Sequence, residues 1–208
     1  MQLKDYIPWV DKKHSKVFFS GIAFDSSKVR KDDIFFAIKG NKSDGNNYIN
    51  SAIQRGAKII ISEKKKFKNI KNITFITSKN VRKLLANTSF KILNKKPKNL
   101  IAVTGTNGKS SVADFYYQIL ELNSKKVASI GTIGVRCKDY KKNLENTTLD
   151  PIRLSYLLKD LNKKKIEYVI MEASSHGLKQ NRLDGLLFDM GIFTNLSHDH
   201  LDYHNDMN

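Results

Sequence analysis

The sequence predicts an α/β protein of two domains, a small N-terminal α/β domain followed by a phosphate-loop (P-loop) domain with a mostly parallel sheet. Strand and helix patterns alternate in both halves of the chain, which is typical of parallel sheets covered by helices. An apolar strand, a glycine-rich loop and an amphipathic helix follow one another over 100–122. The polar, proline-containing stretch 94–99 lies between the halves, and we therefore predict domains over 1–96 and 97–208.

The first half consists of short apolar runs that alternate with amphipathic stretches. Its strands are predicted over 33–38, 58–62 and 73–77. Apolar residues at helical spacing predict one helix around 48–53, which Gly56 ends, and a second helix over 81–88. The basic loop 63–72 joins the last two strands.

The second half repeats this alternation. Its strands are predicted over 100–103, 127–130, 168–171 and 190–194. A helix over 110–122 follows the first strand, and a glycine turn at 131–134 follows the second. Asp150 and Pro151 predict the start of another helix, because aspartate is a favoured N-cap and proline a favoured first residue.

The composition limits the classes of function. Lysine and arginine number 37 against 20 acidic residues, a formal charge of +17. The excess is mostly scattered lysine, so we expect no nucleic-acid function, whereas small anionic substrates would benefit from the positive field. The single cysteine, Cys137, excludes an internal disulfide and suits a reducing compartment. Without a signal-peptide core or an apolar run of about 18 residues, we expect a cytoplasmic protein with no membrane partner.

The stretch 104–110 (Thr-Gly-Thr-Asn-Gly-Lys-Ser) predicts a phosphate-binding loop, because it stands between a strand and a helix. Its glycines let backbone N–H groups approach a polyphosphate, and the helix N-terminus adds a favourable dipole. Lys109 would contact the outer phosphates, and the Ser110 hydroxyl would join a magnesium shell. The eight-residue form of this motif begins with glycine, where this chain has Val103. The residues predicted to bind the nucleotide are Gly105, Thr106, Asn107, Gly108, Lys109, Ser110 and Ser111.

Two later strands also end in polar clusters, 172–177 and 194–204. Ligands of open α/β sheets bind beyond the carboxyl ends of the strands, so both clusters should lie near the phosphate loop. Glu172 is a candidate magnesium ligand, since Mg²⁺ prefers hard oxygens, and a solvated carboxylate is the alternative. The histidines and aspartates of 198–204 could instead form a zinc cluster, although alternate residues of an irregular loop rarely converge. The Ser-Ser-His run invites a hydrolase interpretation, but the glycine-flanked elbow is missing.

Taken together, these motifs resemble those of the Mur ligases, ATP-dependent enzymes that form amide bonds in bacterial cell-wall synthesis, and in particular the MurE type. The matching segments are 24–27, 40–45, 104–110, 146–148, 172–182 and 193–204. The first two are similar to UDP-binding loops, and the third is similar to the family's phosphate loop, whose short form explains Val103. The fourth resembles a sugar-nucleotide-contacting segment, and the last two resemble MurE signatures. The resemblance covers nearly the whole chain.

The resemblance implies a role for each matching residue. The uridine site would contain Phe24, Ser26, Asn41, Lys42 and Ser43. The muramoyl-peptide part would be held by Asn146, Thr147, Thr148, Ser174, Gln180 and Arg182. Magnesium would be bound by Ser110, Glu172 and His200, and the catalytic residues would be Lys109, Glu172 and His200.

The implied activity adds the third peptide residue, diaminopimelate or lysine, to UDP-N-acetylmuramoyl-L-alanyl-D-glutamate through an acyl phosphate, with ATP and Mg²⁺ as cofactors. The UDP-muramoyl dipeptide and the amino acid would be its partners, and the protein would be monomeric. The family has a third domain and a carbamylated lysine that should follow Asn208. We therefore expect this chain to be a fragment with a truncated ATP-binding domain, inactive on its own.

Three alternatives stay open. Another ligase with the same loop, such as a folate polyglutamating enzyme, would leave the first-half loops and the Ser-Ser-His-Gly run unexplained. A non-catalytic module that binds a nucleotide or a UDP-sugar would be distinguished by its lack of turnover. A basic nucleic-acid-binding protein would show a salt-dependent affinity for DNA or RNA.

Overall fold

The computed structural model describes residues 1–40, 43–64, 70–93, 95–138, 140–144 and 146–198. The chain divides into two compact units, Met1–Lys91 and Ile92–Asn208, whereas the sequence predicted a boundary between 96 and 97. Both units are α/β, as the alternating patterns predict. No helix within the described ranges is long and apolar enough to cross a membrane.

The first unit is built on a four-stranded parallel sheet with the strand order β1-β2-β3-β4. Its strands are β1 (Ile22–Ala23), β2 (Ile34–Phe36), β3 (Ile59–Ser62) and β4 (Thr74–Thr77). The last three confirm the predicted runs, whereas β1 is too short to show a periodic pattern. Because all four strands are parallel, the loops that follow them lie at one edge of the sheet.

Two helices complete the first unit, α1 (Ile49–Gln54) and α2 (Val81–Ile92). A 3-10 helix, Gly45–Tyr48, leads into α1, which ends before Gly56 as predicted. One core cluster contains Phe35 of β2, Ile60 of β3 and Ala52 of α1. Complete burial of the central strands explains why their sequences are continuous apolar runs rather than alternating ones.

The second unit has a six-stranded mixed sheet with the order β10-β5-β9-β6-β7-β8. Its strands are β5 (Asn99–Thr104), β6 (Val127–Gly131), β7 (Gly134–Cys137), β8 (Tyr140–Lys142), β9 (Tyr168–Glu172) and β10 (Met190–Phe193). The first four strands in spatial order are parallel, and β7 and β8 add two antiparallel hairpins. The sequence did not predict β7 and β8, because their charged residues interrupt any apolar run.

Three helices belong to the second unit: α3 (Lys109–Leu122), α4 (Pro151–Lys163) and α5 (Ser175–Lys179). Asp150 caps α4 by accepting from the Arg153 N–H (3.0 Å), and Pro151 is the first helical residue, as predicted.

The helix α3 confirms the helix predicted over 110–122 but only part of its apolar stripe. Of the residues whose spacing predicts that stripe, Val112 and Tyr116 pack against the core. Phe115 and Ile119, which the spacing places with the apolar residues, are 62% and 58% exposed. The buried residues are Ala113 and Tyr117. Two positions along a helix turn a side chain by about 200°, so residues 115 and 119 face away from the buried side.

Candidate functional site

The loop 105–108 joins β5 to α3, and its first glycine lies against the segment that follows β10. Gly105 has φ +135°, and a Cβ atom there would lie 2.1 Å from the Thr194 hydroxyl oxygen. Only glycine fits this conformation and this approach. Val103 is buried within β5, so the position of the missing motif glycine belongs to the strand.

The N-terminus of α3 offers backbone donors to a ligand. Gly108 is the N-cap with φ +83°, and the first helical hydrogen bond runs from the Val112 N–H to the Gly108 carbonyl (2.9 Å). The N–H groups of the three helical residues before Val112 therefore have no intrahelical partner. Together with the helix dipole, they form an end suited to anions.

Lys109 lies across this loop. Its ammonium donates to the carbonyls of Gly105 and Thr106, each at 2.7 Å. An ammonium has three donors, so two are used in holding the loop and the third is left for a ligand. The lysine therefore fixes a positive charge beside the free N–H groups of α3.

Glu172 ends β9, the strand next to β5, and is only 3% exposed. Its carboxylate accepts from the Ser110 hydroxyl (3.0 Å), the Thr132 N–H (2.9 Å) and the Thr132 hydroxyl (3.1 Å). A Cβ atom at Gly131 would lie 2.1 Å from Glu172 Oε1, so the glycine makes room for the carboxylate. The three donors are neutral, and hydroxyl and carboxylate oxygens are the ligands that Mg²⁺ prefers.

The buried hydroxyl of Thr148 links the predicted substrate residues. It donates to the Glu172 carbonyl (3.0 Å) and accepts from the Ser174 N–H (3.0 Å). Ser174 Oγ lies 3.0 Å from the same oxygen, and because Thr148 has already used its proton, Ser174 donates. Arg182 bonds the Thr148 carbonyl and donates to Gln180 Oε1 from Nε (3.1 Å) and Nη2 (2.8 Å). The structure thus brings four of the six predicted residues together.

The other two predicted substrate residues lie just before Thr148. The hydroxyl of Thr147 is 3.0 Å from that of Thr132, which itself bonds Glu172. Asn146 is exposed. The segment 146–148 is therefore connected to the Glu172 carboxylate through Thr132 and to the Glu172 backbone carbonyl directly through Thr148.

The predicted uridine residues lie in loops that follow β1 and β2, adjacent parallel strands. Phe24 is 36% exposed, and Ser26 begins a short 3-10 helix that Asp25 caps. Ser43 is exposed, and its carbonyl accepts from the Gly40 N–H (2.9 Å). The other two, Asn41 and Lys42, lie outside the described residues.

Side chains fix the second of these loops on both sides. Asp44 Oδ1 accepts from the Asn46 N–H (2.9 Å), and the Ser62 hydroxyl at the end of β3 donates to Asn46 Oδ1 (2.6 Å). Arg82 of α2 donates to the Lys39 carbonyl (3.0 Å). The backbone hydrogen bond from Asn46 lowers the pKa of Asp44, so this cap is ionised at neutral pH.

Of the three predicted metal ligands, the structure brings Ser110 and Glu172 together, and His200 lies outside the described residues. The described part of the chain contains no group of three or more His, Cys, Asp or Glu that could hold a metal ion. The hydroxyl and carboxylate oxygens of Ser110 and Glu172 fit a cation that takes its other ligands from phosphate oxygens and water, as Mg²⁺ does. Residues 199–204 of the zinc alternative are not described either.

The sequence predicted no role for three residues of the site, although two of them belong to the polar cluster 194–204 that is expected near the phosphate loop. Thr132 holds Glu172, and Thr194 and Asn195 hold the phosphate loop. Thr132 and Thr194 each directly follow a parallel strand, and Asn195 comes next after Thr194. The turn 131–134, which contains Thr132, is predicted only as a glycine turn. The rule that ligands bind beyond strand ends would have indicated this threonine.

Comparisons with known proteins agree across both units. A family model described as the Mur ligase middle domain matches residues 103–208. A second model, described as the Mur ligase family catalytic domain, matches residues 19–100.

Several relatives carry one name, UDP-N-acetylmuramoyl-L-alanyl-D-glutamate–2,6-diaminopimelate ligase. The one from Wigglesworthia glossinidia brevipalpis is 39% identical over 216 residues, which cover 100% of this chain and 44% of that protein. The one from Rickettsia conorii is 44% identical over 188 residues, 88% of this chain and 39% of that protein. The chain thus spans less than half the length of these relatives.

Solved structures show the same fold. A structure of a protein of that name matches 100% of this chain and 42% of its own, with a TM-score of 0.83 and 29% identity. The MurF ligase from Thermotoga maritima matches 89% of this chain and 40% of its own, with a TM-score of 0.56 and 23% identity. The two units therefore have the architecture of the corresponding part of these ligases.

Proposed function

Because this chain belongs to the Mur ligase family, we propose that it binds ATP at the loop 105–111 and recognises a UDP-muramoyl dipeptide. The observation that carries the proposal is the contact between Ser110, the first hydroxyl of α3, and the buried Glu172 (3.0 Å). It sets a carboxylate and a hydroxyl beside a loop whose N–H groups and lysine suit a polyphosphate.

The proposed reaction is the activation of a carboxylate followed by amide formation. An oxygen of the D-glutamyl carboxylate bonds to the γ-phosphorus of ATP, and ADP leaves. The amine of the incoming amino acid then attacks the acyl carbon, inorganic phosphate leaves, and the nitrogen loses a proton. The relatives' printed name supports diaminopimelate as the amino acid.

In this proposal, the chain mainly positions reactants and neutralises charge, as in other phosphoryl transfers. The N–H groups at the start of α3 and the third donor of Lys109 bind the outer phosphates. Ser110 and Glu172, which lie in contact, would hold Mg²⁺, and the cation would offset negative charge on the triphosphate. His200 stays a predicted further ligand.

The same proposal assigns the sugar nucleotide. Phe24, Ser26 and the residues 41–43 would bind the uridine part, because Phe24, Ser26 and Ser43 offer an exposed ring and short polar groups in loops that follow adjacent parallel strands. The muramoyl peptide would be held by 146–148, Ser174, Gln180 and Arg182, a set built around the buried Thr148 hydroxyl and the Arg182 guanidinium. We further expect a cytoplasmic, monomeric protein with no nucleic-acid or membrane partner.

Two titrations of the purified chain test the proposal by calorimetry. Mg·ATP should bind with higher affinity than ATP in excess chelator, since Glu172 adds a ligand only when the cation is present. UDP-muramoyl-L-alanyl-D-glutamate should bind more tightly than UDP-glucose, since only the muramoyl ligand carries the peptide that Arg182 and the residues around it would bind. If neither nucleotide binds, the proposal is wrong. If both sugar nucleotides bind equally, only a general UDP-sugar site remains.

A further inference from the structure

The two residues that follow β10, Thr194 and Asn195, bond the backbone of the phosphate loop with both their backbone and their side chains. β10 pairs with β5 in parallel, and the Thr194 N–H continues this ladder to the Thr104 carbonyl (2.9 Å). The next hydrogen bond runs from the Thr106 N–H to the Asn195 carbonyl (2.9 Å). The segment therefore runs alongside the loop beyond the end of the sheet.

Their side chains converge on the backbone of one loop residue, Asn107. The Asn195 amide accepts from the Asn107 N–H (3.0 Å) and donates to the Asn107 carbonyl (3.1 Å). The Thr194 hydroxyl donates to the same carbonyl (2.7 Å), a shorter contact than its 3.2 Å approach to the Thr104 carbonyl. Both polar groups of the Asn107 backbone are thus bound by side chains from another strand end.

These bonds decide the direction of the next N–H group. In a trans peptide the C=O of one residue and the N–H of the next point in opposite directions. With the Asn107 carbonyl held towards Thr194 and Asn195, the Gly108 N–H points away from them. Apart from Gly108 itself and its chain neighbours, no described atom lies within 4 Å of a Cβ position on Gly108, so this part of the loop is open.

We infer that Thr194 and Asn195 are positioning residues for the phosphate loop. They hold the Asn107 carbonyl, and with it the peptide group that joins Asn107 to Gly108, so that the Gly108 N–H is presented to a nucleotide phosphate. The inference rests on the proposed nucleotide site and adds two residues that touch no phosphate themselves. Because Asn195 already accepts from the Asn107 N–H, that donor would not be offered to a phosphate.

Substitutions at Thr194 separate this role from packing. Thr194→Val keeps the shape of the side chain and removes the hydroxyl, whereas Thr194→Ser keeps the hydroxyl. We expect Thr194→Val to weaken Mg·ADP binding about fivefold and Thr194→Ser to restore it to within about twofold of wild type. Asn195→Ala, which removes two hydrogen bonds, should weaken binding about tenfold or more. The affinities are measured by calorimetry well below the melting temperatures.

Thr77→Val is the matched control. It removes a comparable bond from a threonine hydroxyl to a backbone carbonyl, that of Lys64 (3.1 Å), in the first unit, and should leave the affinity unchanged. If the Thr194 and Asn195 variants lower the melting temperature but bind Mg·ADP as wild type does, their role is structural and the inference is wrong. If wild type itself does not bind Mg·ADP, the proposed function fails first, and the inference with it.

Discussion

The two units share one feature, the carboxyl edge of a parallel sheet, but carry different chemistry there. The second unit presents Lys109, the buried Glu172 and free N–H groups at a helix N-terminus. The described loops of the first unit present short hydroxyl groups, the half-buried Ser26 and the exposed Ser43, beside the capping residues Asp25 and Asp44. We infer from this difference that charge is built where a polyphosphate has to be neutralised, and small polar groups where a base and sugar are to be recognised.

The two units can also be compared through two buried carboxylates, Asp33 in the first unit and Glu172 in the second. Asp33 precedes β2 at the amino edge of the first sheet, is 5% exposed, and accepts from the Arg30 N–H (2.8 Å). Burial raises its pKa. Glu172 follows β9 at the carboxyl edge of the second sheet and accepts from hydroxyl groups that can also bind a cation. A buried carboxylate at the carboxyl end of a parallel strand is therefore a candidate ligand, whereas one at the amino end has a structural role.

The largest expected effect concerns the charge of the second unit. Lys109→Ala removes the cation aimed at the outer phosphates and two bonds that hold the loop. We expect Mg·ATP affinity to fall by about 2–3 kcal/mol, a factor on the order of 100. Calorimetric titration measures it, with Lys163→Ala, an exposed lysine of the same unit, as the control. Equal affinities of wild type and Lys109→Ala would contradict the assignment of the loop.

The second effect concerns the cation. Glu172→Gln keeps the size of the side chain and removes its charge, so the advantage of Mg·ATP over metal-free ATP should shrink about tenfold. Affinity is measured with Mg²⁺ and with excess chelator. The variant should bind metal-free ATP at least as well as wild type does, because a negative charge near the phosphates is lost. If Glu172→Gln keeps the full affinity advantage of Mg·ATP over metal-free ATP, Glu172 is not a ligand of the metal.

The third effect lies in the first unit and concerns stability. Asp44→Ala removes the cap of the Gly45–Tyr48 helix and should cost about 1 kcal/mol, whereas Asp44→Asn keeps a capping oxygen and should cost less. Trp9, the single tryptophan, lies in this unit, so its fluorescence during urea unfolding reports on it. Because the folded-state pKa of Asp44 is lowered, its stabilisation is present at neutral pH and lost as pH falls below 3.8. Equal losses of stability in Asp44→Ala and Asp44→Asn would indicate that the capping oxygen does not stabilise this unit.

The smallest effect is the pH dependence of Asp33. Its raised pKa favours the protonated folded state, so its contribution to stability is greatest below pH 3.8 and falls as pH rises through the folded pKa. Asp33→Asn does not titrate, and its stability relative to wild type should therefore improve between pH 4 and pH 7. Urea unfolding followed through Trp9 at both pH values checks this. A constant difference between the two proteins would show that Asp33 is not perturbed.

The sequence predicted the features that depend on residues close to one another along the chain. The strand before the phosphate loop, the helix after it, the cap at Asp150 and the position of Glu172 at a strand end all follow from local patterns. The assigned roles of the site residues remain predictions.

The sequence could not predict contacts that depend on strand order. Asn195 bonds Asn107 across 88 positions because β10 lies next to β5, and no local pattern contains that adjacency. The same holds for Thr132, which reaches Glu172 across 40 positions. The exposure of Phe115 has a related cause, since periodicity indicates an apolar side but not how much of it the sheet covers.

The central claim, that the two sheet edges bind different parts of the reaction's substrates, is tested most directly by amide chemical-shift mapping of the labelled chain. Mg·ADP should shift the amides of 105–111 and Thr132 and leave those of 24–26 and Ser43 unchanged. Uridine diphosphate alone should shift 24–26 and Ser43 and leave 105–111 unchanged. If Mg·ADP moves no amide between 105 and 111, or both ligands move the same amides, the account is contradicted.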